Sequence, residues 1–519
     1  MGTDARAQVS FEPLAGWTHV PVRESDPTYG VALETSAVGY TSPTIAEIDG
    51  DPSNGLEVAV GSQNGVLSVL RSDGTLLWSA RMPNADCNEK PFQMFSSPAV
   101  GTLYGDGTPY VVVGYGGILA RDCDGGVSAF RGPDGSVAWN FSVRKLAKSR
   151  KIKERNYGVY SSPALADVDG DGKLEVGFGS YARHVFLLEH NGKPRFYYNT
   201  ADTVWSSPAF ADINGDSQKE LLIGSDISKN TNIRPATANG GYVIALRTSK
   251  PKDGPKYNFR DKRAVLWQTN FDQTIFSSPA VGDIDPTRPG LELAIGSGCY
   301  FGKDASKPGK WIKILRASNG KVIRTLPTSA CSSSSPALAD IEGDGDLEVF
   351  SVTDGTSRHG GDGFCRVAAW RGTETTPIWN RIVYDGSSTD ENCGDLRSPV
   401  VADLDGNGSL EVAVSVRNAV IVLDAATGAS LTCEGDCSAD SRPRIRVFNS
   451  VQSTPAIGDI DRDGRLELVV GSNYRSRGMI FAFTSLELGS IAGPHAPYAA
   501  PWPMFRGNAR HDALYRNEQ

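Results

Sequence analysis

Apolar and polar positions alternate along this chain in short bursts, and the bursts come in a fixed order. In "YSSPALADVDGDGKLEVGFGS", residues 160–180, small polar residues and a proline lead into an apolar triplet, an acidic bend and a second apolar segment. The phrase returns as "YTSPTIAEIDGDPSNGLEVAVGS" from Tyr40, "FSSPAVGTLYGDGTPYVVVGY" from Phe95, "WSSPAFADINGDSQKELLIGS" from Trp205 and "FSSPAVGDIDPTRPGLELAIGS" from Phe276. It appears three more times, as "SSSSPALADIEGDGDLEVFSV" from Ser332, "LRSPVVADLDGNGSLEVAVSV" from Leu396 and "VQSTPAIGDIDRDGRLELVVGS" from Val451. A third apolar segment follows, such as "GVLSVL" or "GYVIAL", then a turn and a fourth that ends on an aromatic, as in "GTLLWSA", "GSVAWNF" and "AVLWQTN". Short apolar segments punctuated by glycine turns read as antiparallel strands. One such unit cannot bury its own apolar face, so tandem copies must stack.

The pattern therefore predicts an all-β chain, an eight-bladed β-propeller of four-stranded antiparallel blades. The repeat prolines, Pro43, Pro98, Pro163, Pro208, Pro279, Pro336, Pro399 and Pro455, are unevenly spaced, so the unit is constant while its loops vary. Residues 40–485 form one propeller in this reading, with an N-terminal segment at 1–39 and a C-terminal tail at 486–519 that packs on it. The eighth copy runs out after its third strand, "GMIFAFTSL", and "AGWTHVPV" at 15–22 has the character of the missing fourth strand. It is expected to complete the last blade. Trp78, Trp139, Trp267 and Trp379 are expected to pack between blades.

Composition narrows the function classes. The 57 glycines and 30 prolines suit many turns. No apolar run approaches the ~20 residues of a membrane-spanning helix, and no lysine-rich tail points to nucleic acid. The formal charge is a mild -8, and the start "MGTDARAQVS" lacks the apolar core of a signal peptide.

The acidic bends carry the chemistry. Carboxylates at every second position repel one another unless a cation sits between them. Calcium takes six to eight oxygens, and a tight loop of alternating acids with a glycine at the bend can supply them. Asp167, Asp169, Asp171 and Glu175 form the best loop, and Asp459, Asp461, Asp463 and Glu467 match it. Asp403, Asp405, Asn407 and Glu411, and Asp340, Glu342, Asp344 and Glu348, come close; Asp212, Asn214, Asp216 and Glu220 keep the oxygens without the glycine. Repeats one and five, around Asp49 and Asp285, carry insertions, and "TLYGDGTPY" in repeat two has lost its first acid. An Asp-Gly hairpin turn would explain one such bend. Five in matching register point to about five calcium sites, structural because nearly every repeat builds the same one.

These residues resemble the FG-GAP family, the calcium-binding propeller repeats of integrin α-subunits, and bacterial relatives with VCBS repeats, over roughly residues 40 to 485. The tail "PWPMFRGNARHD" is similar to the ending of bacterial members. The resemblance implies oxygen ligands at loop positions one, three, five, seven through its carbonyl, and nine. Here position nine is glutamate where integrins usually have aspartate. The resemblance further implies a secreted or surface module for adhesion or lectin-like binding.

In a propeller the loops between blades and between strands two and three share one face, opposite the acidic bends. Cys87, Cys123, Cys299, Cys331, Cys365, Cys393, Cys433 and Cys437 all map to that face. Connectivity is open, but pairing nearest neighbours links the two loop types each time, which favours disulfides over free thiols and an extracellular, cell-surface or periplasmic location. The same face holds long insertions with Tyr300, Phe301, His359 and Tyr384, the candidate ligand contacts, and a basic run from Lys145 to Arg155. Two function classes follow. One is a monomeric binding module for an extracellular glycan or protein. The other is a calcium-dependent polysaccharide lyase or other glycan-degrading enzyme, since some polysaccharide lyases resemble this fold. Against an enzyme, neither G-x-S-x-G nor H-E-x-x-H occurs and the six histidines are scattered. "VLDAATGASL" at 422–431 is similar to quinoprotein propellers, but no adjacent cysteine pair supports that cofactor.

Overall fold

Each acidic bend joins two antiparallel strands, and eight such pairs stand side by side around an axis. The structure, a computed structural model, describes residues 11–17, 31–36, 38–83, 94–117, 123–152, 154, 156–227, 238–298, 300, 309–353, 355, 363–384, 397–432, 445–447, 451–474, 477–485, 500 and 502–515. Blade three shows the plan: Ala164–Ala166 innermost, then Glu175–Ser180, His184–Leu188 and Pro194–Asn199, hydrogen-bonded in that order. The other blades begin at Thr44, Ala99, Ala209, Ala280, Ala337, Val400 and Ala456, giving eight sheets of at least four strands. Among the described residues one short helix, Val143–Ser149, overlaps the start of the expected basic run.

Burial follows position in the blade. The second strand of blade three is buried along its whole length because neighbouring blades cover both its faces, whereas the outermost strand of blade one, Leu76–Arg81, is mostly part-exposed. Blade packing is close enough to demand glycine. A Cβ at Gly177 would lie 2.7 Å from the Phe210 ring of blade four, and one at Gly179 2.2 Å from Val204. The four tryptophans lie between blades as expected. Their indole N–H groups donate to carbonyls of the next blade, Gly132, His190, Ala317 and Ala425, at 2.6–2.9 Å. Each ring also covers a turn glycine of that blade, Gly135, Gly192, Gly320 or Gly428, all at positive φ.

The serine before each repeat proline joins the blades into a ring. The hydroxyl of Ser97 accepts from the Ser42 N–H, Ser162 from Ser97, Ser207 from Ser162 and Ser278 from Ser207. Ser335, Ser398, Thr454 and finally Ser42 continue the series, the last accepting from the Thr454 N–H across 412 residues of sequence. Eight bonds of 2.9–3.0 Å thus close on themselves. The preceding hydroxyls of Thr41, Ser96, Ser206, Ser277 and Ser453 accept from a glycine N–H in the second strand of their own blade.

Both ends of the chain meet this ring. In blade eight the outer edge of Arg477–Ser485 pairs antiparallel with Phe11–Pro13 and, further along, with Val31–Ser36. The 15–22 segment expected there lies between these two pieces. Its first residues, Ala15 and Gly16, form a turn that brings the Trp17 indole onto the Ser72 carbonyl, and 18–22 fall outside the described residues. The C-terminal tail laps the channel. Carbonyls of Trp502, Pro503, Ala509, Arg510, Asp512 and Ala513 accept, in that order, from the innermost strands of blades seven, eight, two, three, four and five. The free edge of those strands is paired by the tail instead of by water, which meets the demand that buried backbone groups find partners.

Candidate metal loops and the mouth of the channel

The acidic bends share one geometry. In blade three Asp167 accepts from the Gly170 and Gly172 N–H groups at 2.7 and 3.0 Å, and Asp171 from Lys173 at 2.9 Å. Blades four and six repeat this with Asp212 and Asp340, and blade seven with Asp403. The glutamate at position nine opens the next strand and is buried beneath the loop. One of its oxygens takes a backbone N–H: Glu175 that of Val168, Glu220 of Ile213, Glu348 of Ile341, Glu411 of Leu404 and Glu467 of Ile460, at 2.8–3.3 Å. The other oxygen is a buried acceptor without a hydrogen bond in Glu57, Glu175, Glu292, Glu348 and Glu467. Burial raises these five carboxyls to about 7, or about 8 for Glu467. An acid that costly to ionise fits a loop that takes up a cation, except in blade three, where Arg195 already lies 3.2 Å from that Glu175 oxygen.

The loops nonetheless differ. Three carboxylates come within 4.8 Å of one another in Asp167, Asp169 and Glu175; in Asp403, Asp405 and Glu411; in Asp459, Asp461 and Glu467; and in Glu47, Asp49 and Glu57. The last set belongs to repeat one, whose two-residue insertion hides its register: Glu47 stands where the other repeats have their first aspartate. Among the described residues no such trio forms in blades four and six. There Asn214 donates its amide to Glu220 at 3.0 Å, and Arg371 pairs with Glu342. Blade five holds Asp285 between Arg288 and Arg324, at 3.0 and 3.1 Å. In blade three the Arg195 guanidinium lies 2.7 Å from Asp169 and 3.2 Å from the second oxygen of Glu175.

On the opposite face the channel mouth is ringed by aromatics. Tyr40, Phe95, Tyr160, Trp205 and Phe276, each three residues before a repeat proline, pack in sequence around blades one to five with centroids 4.7–5.1 Å apart, the first two pairs stacked and the last two tilted. Phe505 from the tail closes the floor, leaving about 30 Å³, little more than room for a water. Beside the arc Tyr181 packs 5.0 Å from Trp205. Beside it Asp226, 7% exposed, has one carboxyl oxygen without a hydrogen bond, as does the buried Tyr181 hydroxyl. Burial, and then the charge of Asp202, hold the Asp226 carboxyl well above the ordinary range.

Of the expected ligand contacts, Tyr300 is 74% exposed after the second strand of blade five. Tyr384 ends the outer strand of blade six, with its side chain outside the described residues, as are Phe301 and His359 entirely. Sequence reasoning passed over the aromatic arc, although its signal was in phase with the repeats: Tyr, Phe, Tyr, Trp and Phe at one fixed offset from the proline. Cys123, Cys331 and Cys365 are buried, and no described cysteine is a free thiol.

No curated protein sequence matches the chain. Among solved structures, the rhamnogalacturonan lyase YesW matches with a TM-score of 0.54 at 17% identity, over 94% of this chain and 81% of that one. A rhamnogalacturonan lyase of Bacillus licheniformis has a TM-score of 0.48 at 16% identity, over 87% and 75% of the two chains. BamB of Moraxella catarrhalis has 0.48 at 15%, over 91% and 99%. At such identities the likeness is one of fold. Residues 167–223, from the acidic bend of blade three to the second strand of blade four, match the family model of the FG-GAP-like repeat. With that repeat set in a closed ring of eight four-stranded blades, the chain is a β-propeller that carries an FG-GAP-like repeat.

Proposed function

We propose that the protein is a calcium-stabilised binding module that holds an extracellular glycan or protein ligand at the aromatic mouth of its channel. The arc of five packed rings carries this reading. Nothing in ring closure requires aromatics at that offset, since blade six has Ser333 and blade eight Gln452 there. Partly exposed aromatic edges beside hydroxyls and acids suit sugar rings or peptide side chains, and the filled channel keeps the ligand at the mouth. Disulfides bracing the loops of this face are supported by the lack of a free thiol among the described cysteines. They agree with an extracellular, cell-surface or periplasmic site of action.

The test is a glycan array with the intact protein and with Trp205→Ala. Loss of at least tenfold in affinity for a bound glycan, with tryptophan-independent secondary structure retained by circular dichroism, is the expected result. Unchanged binding by the variant would put the ligand elsewhere and overturn the reading.

A lyase is the second reading, favoured by one observation: Asp226, a buried acid whose carboxyl burial holds well above the ordinary range, and Tyr181, a phenol, lie beside Trp205 of the arc. Such a pair is equipment for proton transfer, and YesW, which shares the fold, is a rhamnogalacturonan lyase. Release of unsaturated uronate from rhamnogalacturonan, abolished in Asp226→Asn, would establish it. No product would leave the binding reading.

A further inference from the structure

Two loops with the same acids at the same spacing end in different surroundings. Blade three has Asp167, Asp169, Asp171 and Glu175, and blade eight has Asp459, Asp461, Asp463 and Glu467. In blade three the fourth strand begins Pro194–Arg195, and the Arg195 side chain, 2% exposed, runs inward beneath the bend. Its guanidinium bridges Asp169 and Glu175, the two carboxylates that would meet on a metal, and bonds Glu189 through Nε and Nη2 at 3.1 Å. Lys250 adds a second cation to Glu189 at 3.0 Å, and Lys173 one to Asp171 at 3.6 Å. In blade eight the outermost strand is Phe11–Pro13 and brings no such group. Glu467 is fully buried with one oxygen lacking a hydrogen bond, and so is one oxygen of Asp459. Arg465 turns to Asp463, and Arg462 reaches towards Glu47 of blade one at 3.9 Å.

Resting on the calcium reading above, we propose that blade three, the loop with the best acid pattern, takes no metal because Arg195 is its built-in cation, whereas the matching loop of blade eight binds a divalent ion. A guanidinium held by three carboxylates at these distances occupies the space between Asp169 and Glu175, and a divalent ion could enter only by expelling a buried arginine. Blade five repeats the device: Arg324, from its outermost strand, reaches Asp285, which is 1% exposed. Arginine from the fourth strand therefore replaces the ion where the blade supplies one, and the repeat keeps its bend without calcium.

Calcium stoichiometry by native mass spectrometry and isothermal titration tests this on the full chain. Asp169→Asn should leave the number of bound ions unchanged, and Asp461→Asn should lower it by one. Arg195→Gln should raise it by one, and calcium should restore whatever melting temperature that variant loses. Loss of one ion in Asp169→Asn, or no gained ion in Arg195→Gln, overturns the arginine substitution. No loss in Asp461→Asn overturns the calcium reading of blade eight, a separate failure. If Arg195→Gln does not fold, Asp169→Asn alone decides.

Discussion

At the scale of single residues, the fold rests on groups that look interchangeable in the repeat. The serine before each proline accepts through its hydroxyl from the preceding blade in the ring, so replacing one leaves a buried N–H without an acceptor. Ser162→Ala orphans the Ser97 N–H, and such a loss costs about 1–3 kcal/mol. Ser162→Thr keeps the oxygen, as Thr454 already does in the ring, and should cost little. Chemical denaturation of the two variants checks this; equal stability would mean that the hydroxyl ring contributes nothing. The tryptophan and glycine pairs follow the same logic. A Cβ on Gly320 would stand 2.3 Å from Trp267 at a φ of +69°, so the turn glycine serves both the bend and the seat of the preceding blade's tryptophan.

At the scale of elements, strands two and three of each blade were legible because both faces are covered and their residues run apolar. The closing strand was not. Phe11–Pro13 and Val31–Ser36 are short, and the more apolar 15–22 stretch between them begins with a turn that anchors Trp17. The tail was legible only as a tail, since its role depends on backbone carbonyls that carry no sequence signature. Two of its buried side chains do give it a pH response. Arg506 donates to the carbonyls of Ser207, Pro208 and His511, with Asp512 as its nearest counter-charge. His511 lies against the Pro163 carbonyl and the Thr44 hydroxyl, and burial, then Arg506, depress it from 6.5 to about 3. The unfolded chain takes up this proton below about pH 6.5 and the folded chain does not, so the contribution is intact above 6.5 and lost as pH falls towards 3. His511→Gln should therefore flatten the acid limb of a plot of melting temperature against pH. An unchanged slope would contradict the seating of the ring.

At the scale of the whole molecule, the two faces divide the labour. The acidic bends gather carboxylates on one, and the aromatic arc occupies the other. The acid spacing made the loops legible, but not their occupancy, because the decisive residues, Arg195 and Arg324, come from the fourth strand, some twenty to forty positions downstream. Repeat one shows the converse, since its insertion concealed a trio of Glu47, Asp49 and Glu57. Glutamates buried without a partner oppose folding once ionised, and a bound ion removes that cost. A ligand held only by the folded state adds about 2.7 kcal/mol per site at a hundredfold excess over Kd. The most direct test of the account is calorimetric melting of the intact protein in calcium and after chelation, at one scan rate and pH. The account predicts a melting temperature lower by several degrees after chelation and recovered on adding calcium back. Superimposable melts would contradict it.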